Sequence, residues 1–248
     1  MRFLGIDFGW QGKPSGLAVL EWRAPSLHLL SMDRLVSLDD ILGWVDTACQ
    51  DGPAVIAVDA PTIIRNPTGM RTADKLMHKH FGKFHAGCYP ANLGRPYAER
   101  TVEIGGALEK RGFRHTVFIP PREAGRFQFE VHPHSAMVQL FDLPRILKYK
   151  KGRLADRLVE LERYRGLMLT RLPKLSPPVA AFSLPELPHA GAAMKDIEDR
   201  MDAVICAYVA AHWWFWGTER NQVCGTLEDG YIVVPHRHLK PVATVGVS

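Results

Sequence analysis

The chain has 248 residues, 46% of them hydrophobic and 23% charged, enough to bury a sizeable core and too apolar for a large disordered fraction. Its net charge of +5, from 31 basic against 26 acidic residues, permits contact with nucleic acid without demanding it. The length suits a single domain over residues 1–248, in which two full-sized lobes would be crowded. Cys49, Cys88, Cys206 and Cys224 are isolated, with no CxxC pair, which predicts reduced thiols and a cytoplasmic location. The N-terminus enters an apolar strand directly, without the pattern of a secretory signal. The longest apolar run, residues 203–216, is too short to span a bilayer, so no membrane association is expected.

Phe3, Leu4, Ile6 and Phe8 form a short apolar run that suits a strand covered on both faces, and Asp7 interrupts it. A carboxylate placed there is costly to desolvate unless it is paired or binds a cation. Gly9, Gly12, Pro14, Ser15 and Gly16 predict a turn, after which Leu17, Val19, Leu20 and Trp22 return as a second strand. Residues 27–33 supply a third, giving three consecutive antiparallel strands. Ser37 with Asp40 resembles an N-cap, and Leu38, Ile41, Leu42, Val45 and Ala48 recur at helical spacing. Residues 54–58 form a second buried strand that also ends on an acid, Asp59. A strand, crossover helix and strand make a parallel connection, which would place Asp7 and Asp59 at one edge of the sheet.

Residues 61–125 read as a helical insertion, with helices from Arg71 and over 97–112 and a loop between them. Residues 126–131 alternate as a further strand carrying Glu130, and 135–141 suit a short helix. A second insertion, about 142–194, contains the basic stretch with Lys148, Tyr149, Lys150 and Lys151, a helix over 154–172 and a proline-rich connector. The last strong helix, 195–216, carries Asp199 and Asp202 on one flank and is apolar nearly all round from Ala203. Residues 223–226 and 231–234 suggest a terminal hairpin.

The pattern is therefore an α/β chain in which separate elements offer Asp7, Asp59, Glu130, Asp199 and Asp202 as candidate catalytic acids. Clustered carboxylates repel, and hard divalent cations such as Mg2+ or Mn2+ make such a cluster tolerable. Paired ions held by acidic ligands hydrolyse phosphodiesters by activating water and stabilising the leaving oxygen, so two ions are expected.

The order of elements resembles the RNase H-like fold, a mixed five-stranded sheet of three antiparallel and then parallel strands flanked by helices, and the AspxxAsp helix is similar to that of Holliday-junction resolvases. More narrowly, the IleAspPheGly start, ValAspAlaPro, the ArgThrAlaAsp segment at Arg71, PheGluValHisPro and GluAspArgMetAspAla resemble an uncharacterised family of predicted RNase H-like nucleases. The resemblance implies a metal-dependent nuclease with Asp7, Asp59 and Asp202 as metal ligands and Glu130 and Asp199 as supplements. The glutamate that ribonucleases H carry on the first helix has no counterpart, because Asp39 and Asp40 read as caps.

Arg65, Arg71, Lys75, Lys148, Lys150 and Lys151 are candidates for holding a nucleic-acid backbone, RNA or DNA, with Tyr149 stacking on a base. Asp74 reads as a helical partner of Arg71. His132, His134, His236 and His238 lack a Cys or His cluster at zinc-ligand spacing. Trp213, Trp214 and Trp216 suit the core or a homodimer contact. Two other readings compete: a non-catalytic nucleic-acid-binding or scaffold domain of the same fold, and an actin-like ATPase whose first hairpin cradles phosphate. The second would need another lobe and another glycine-rich loop, and neither is visible.

Overall fold

The computed structural model describes residues 1–188 and 190–236, so His238 lies outside the described residues. Three strands, β1 (Arg2–Asp7), β2 (Ser15–Arg23) and β3 (Ser26–Leu35), form the expected antiparallel meander. The helix α1 (Leu38–Cys49) crosses to β4 (Ala54–Val58), which pairs parallel with β1 from Arg2 opposite Ala54 to Ile6 opposite Val58. Ser37 caps α1 by accepting the Asp40 N–H at 3.0 Å, as its sequence predicts. The helices α2 (Thr72–Phe81) and α3 (Ala98–Glu109) follow, then β5 (Arg114–His115) and β6 (Arg126–Val131). After α4 (Pro133–Leu140), α5 (Leu154–Arg171) and the long α6 (Gly191–Trp216), the hairpin of β7 (Asn221–Thr226) and β8 (Gly230–Pro235) completes the sheet.

The strand order is β3-β2-β1-β4-β6-β8-β7, with β5 paired to β6. The first five places reproduce the RNase H-like arrangement that the sequence motifs imply, and the sheet is wider than the five strands expected. The terminal hairpin joins it because β8 pairs in parallel with β6 at Glu130 and Val131. The two-residue β5 has no readable alternation and was invisible in the sequence.

The sheet lies between two apolar layers. Leu4, Ile6, Leu17, Val19, Ile56 and Val58 meet Ile41 and Val45 of α1 and Ile104 and Leu108 of α3 on one face. Phe3, Ala18, Leu20, Val55, Ala57 and Phe129 meet α6 on the other. Residues 201–214 of α6 are buried without interruption, which explains why that stretch lacks an amphipathic period: it has no solvent face. Trp213 and Trp214 belong to this core. No helix among the described residues is long and apolar enough to cross a membrane.

Two glycines set the height of α6 above the sheet. A Cβ on Gly5 would lie 1.9 Å from the Ala203 carbonyl oxygen, and one on Gly16 would lie 1.9 Å from that of Asp199. Gly16 pairs across the ladder with Asp7, so the helix backbone rests on the strands beside that carboxylate. The two contact points are four residues apart on α6, about 6 Å along its axis, and they bracket Asp202.

Gly5→Ala should therefore lift α6 and destabilise the fold by about 2–4 kcal/mol, read by urea denaturation. Gly43→Ala, at an exposed site in α1 where a Cβ meets nothing within 4 Å, should be neutral or stabilising by about 0.5–1 kcal/mol. Equal effects from the two substitutions would refute the close-approach argument.

Candidate active site

Asp7 is the last residue of β1, and Asp59 follows β4 one step beyond the pair Ile6 and Val58. The Asp59 N–H donates to the Ile6 carbonyl at 2.8 Å, and the Trp10 indole N–H donates to the Asp59 carbonyl at 2.7 Å. These bonds hold the two acidic residues side by side at the strand ends. Burial pushes the Asp7 carboxyl well above the usual range, and Asp202, Asp59 and Asp199 push it further while Lys150 opposes them. Burial likewise pushes Asp59 up to about 7, with Asp202 and Glu130 adding to the shift, Lys150 opposing it, and a hydrogen bond linking its carboxyl to that of Asp7.

Asp202 is completely buried on α6. The Tyr149 hydroxyl donates to its Oδ1 at 2.7 Å, and Lys150 Nζ lies 2.7 Å from its Oδ2. Burial alone would raise Asp202, but Lys150, His134 and the Tyr149 hydrogen bond outweigh it and hold the carboxylate below its ordinary value. Lys150 is kept charged, burial notwithstanding, by Asp202, Asp7 and Asp59. Tyr149 is itself fixed by stacking on Tyr164, with ring centroids 5.0 Å apart.

The other expected acids lie nearby but carry their own partners. Asp199 accepts from Arg34 Nε at 3.0 Å and lies 2.6 Å from Lys195 Nζ. Glu130 sits level with Val58, one step short of Asp59, and both of its oxygens accept from Arg71, at 2.7 and 2.9 Å. The same guanidinium binds Asp74 at 2.8 Å and the Ile63 carbonyl at 2.9 Å. Arg71 is 1% exposed, so the expectation that it faces a nucleic-acid backbone gives way to a structural one: it is the buried counter-ion of Glu130 and Asp74.

Lys150 is likewise drawn inward onto the acids. Tyr149, expected to stack on a base, is buried under Asp202. Arg65, Lys75, Lys148 and Lys151 are exposed, and Lys151 Nζ lies 3.2 Å from the hydroxyl of the exposed Tyr89. Burial pushes His132 down to about 3 and His134 down to about 4, leaving both neutral beside the cluster. Glu198, not among the candidate acids, is buried on α6 with Lys195 at 2.7 Å and Arg157 at 3.5 Å. Its position one turn before Asp202 and its place at the head of the GluAspArgMetAspAla motif are the signals that point to it. In the first hairpin, the Gly9 N–H donates to Ser15 Oγ at 2.9 Å and is taken up within the turn.

Asp7, Asp59 and Asp202 offer hard oxygen donors of the kind that Mg2+ and Mn2+ prefer, and their mutual repulsion is of the kind a dication relieves. They fit a metal in chemistry and charge. As the side chains lie, no three His, Cys, Asp or Glu residues among those described stand in ligand geometry, and Asp202 is held by Tyr149 and Lys150.

The raised Asp59 pKa predicts a distinct stability profile. A carboxyl whose folded pKa exceeds its unfolded value, about 3.9, binds its proton more tightly in the native state and destabilises the fold as pH rises between the two. With divalent ions removed, Asp59→Asn should match the parent protein near pH 4 and exceed its stability by about 1–2 kcal/mol at pH 8 in urea titrations, a range reduced for partial solvent screening. A variant no more stable than the parent at pH 8 would contradict the crowding described.

No curated protein matches the chain. Among solved structures, a Thermus thermophilus RuvC structure is similar over 87% of this chain and 98% of that chain, at 14% identity and a TM-score of 0.39. The family model described as "Protein of unknown function (DUF429)" matches residues 5–225, and the chain belongs to that family.

Proposed function

We propose that this protein is a metal-dependent nuclease that hydrolyses phosphodiester bonds in a nucleic-acid substrate. One observation carries the reading: Asp7, Asp59 and Asp202, from a strand end, a neighbouring strand end and a buried helix, share one electrostatic environment. Buried carboxylates that destabilise one another are retained at functional sites more readily than in scaffolding.

The residues that would hold Mg2+ or Mn2+ are Asp7, Asp59 and Asp202. A bound dication there supplies an activated water and charge stabilisation at the leaving oxygen. The protein's own contribution is placement. Trp10 and the β1 and β4 ladder fix Asp59 beside Asp7, and the Tyr149 hydroxyl orients Asp202. The exposed Lys148 and Lys151, on the loop that delivers Lys150, supply positive charge for a phosphate backbone, and exposed Arg65 and Lys75 extend it. Glu130 and Asp199 support the site through their ion pairs with Arg71, Arg34 and Lys195 rather than as free acids.

A panel of RNA, DNA, hybrid and branched substrates incubated with Mg2+ or Mn2+ tests this. The protein should cleave at least one of them, chelation should abolish cleavage, and Asp7→Asn should lower the rate at least about 100-fold while leaving substrate binding within a few-fold. Cleavage that survives Asp7→Asn or chelation would refute the assignment. Binding with no cleavage under either metal would favour a non-catalytic module.

A further inference from the structure

Tyr89, in the loop between α2 and α3, is 66% exposed. A single exposed aromatic is ordinary on a protein surface, but this one stands on backbone pinned to either side of it. The His78 Nε2 donates to the Cys88 carbonyl at 2.8 Å, the Tyr97 hydroxyl donates to the Pro90 carbonyl at 2.7 Å, and the Ala91 N–H donates to Asp74 Oδ2 at 2.8 Å. Asp74 in turn shares Arg71 with Glu130, which lies one step short of Asp59 in the sheet register. From the other direction, Lys151 donates to the Tyr89 hydroxyl at 3.2 Å, and Lys150 beside it reaches Asp202 at 2.7 Å. The Lys151 Nζ is 5.9 Å from the ring centre, so it sits off the hydroxyl end and covers neither face.

The charge around this ring is of one sign. Between residues 60 and 98 the exposed charged side chains are Arg65, Lys75, Lys79, Lys83 and Arg95, all basic, and the one acid, Asp74, is buried. Residues 143–155 carry five basic residues and no acid, and they join the first segment where the Ile146 N–H donates to the Phe84 carbonyl at 3.0 Å and where Lys151 meets Tyr89. Resting on the nuclease reading above, we infer that Tyr89 is a stacking platform for an unpaired base, with Lys151 holding the adjoining phosphate, so that the substrate presents a single-stranded segment to the site. Bases within a duplex have both faces taken by their neighbours, and only an unpaired or extruded base can lie on the ring. Pinned backbone leaves little freedom to lose when the base arrives. The stacking role expected of Tyr149, which is buried under Asp202, falls to Tyr89.

Fluorescence titrations of the full chain in chelator, at fixed salt, test this with a strand of about 12 nucleotides carrying 2-aminopurine, as DNA or RNA, alone or annealed to its complement. The parent protein should bind the single strand of at least one sugar type about tenfold or more tighter than the duplex, and quench the 2-aminopurine by stacking. Tyr89→Ala should weaken that binding about 5- to 100-fold and abolish the quenching, while Tyr89→Phe should keep both. Lys151→Gln should weaken binding a few-fold and lower its salt dependence. Circular dichroism confirms that each variant is folded. Tyr89→Ala binding and quenching like the parent would overturn the inference, and so would duplex bound as tightly as single strand. A dimer of the parent protein that Tyr89→Ala dissolves, with nucleic-acid binding unchanged, would also overturn it and assign the ring to a contact between copies. No binding of any strand would overturn it as well. None of these results decides the nuclease reading, which the cleavage panel above judges separately.

Discussion

The close seating of α6 on β1 and β2 governs the rest of the structure. Gly5 and Gly16 present bare backbone to the carbonyls of Ala203 and Asp199, at distances no side chain would permit. Any Cβ at either point would raise the helix, and Asp202, which lies between the two contacts, would leave the neighbourhood of Asp7. An uninterrupted apolar stretch from Ala203 to Ala211 anchors the helix in the core. Its hydrophobic burial holds Asp202 in a medium that would otherwise expel a carboxylate. The same arrangement provides the scaffold and creates the electrostatic problem at its edge.

That problem is handled in two ways. Around the rim, basic side chains come from distant parts of the chain to individual acids: Arg34 from β3 to Asp199, Arg71 from the start of α2 to Glu130, and Arg157 from α5 to Glu198. The Arg71 pair ties the first insertion to the sheet, and the Arg157 pair ties the second to α6. Buried pairs of this kind add little net stability but are costly to break from one side, so they fix placement more than they strengthen the fold. At the centre, by contrast, Asp7 and Asp59 crowd each other with a single shared lysine nearby. Among the described residues, Asp7 and Asp59 have no basic side chain in ion-pair contact, unlike the acids around them.

Much of this was legible in the sequence. Short continuous apolar runs and the helical spacing after Ser37 located the meander, the crossover and β4. Asp7 and Asp59 stood out because each interrupts or ends an apolar segment, whereas Asp202 came forward with Asp199 on the flank of the last helix, its ligand role implied by the family resemblance. What the sequence concealed were partnerships between distant residues. Nothing local distinguishes Lys150 from Lys148 and Lys151, yet one neutralises the acids while the other two are exposed. Arg71 read as a surface cation because it opens a basic helix, and Glu130, which buries it, is 59 residues away. Arg34 and Asp199 are 165 residues apart, so no local pattern could reveal that pair. Strand β5 was too short to show a period.

The claim on which the account rests is that the three aspartates form one cation-accepting centre. A crystal structure of the protein soaked with Mn2+, with anomalous scattering collected at the manganese edge, tests it most directly. The account predicts an anomalous peak contacted by carboxylate oxygens of Asp7, Asp59 and Asp202 together. Full soaking with no peak there, and with Asp202 still held by Tyr149 and Lys150 alone, would contradict it.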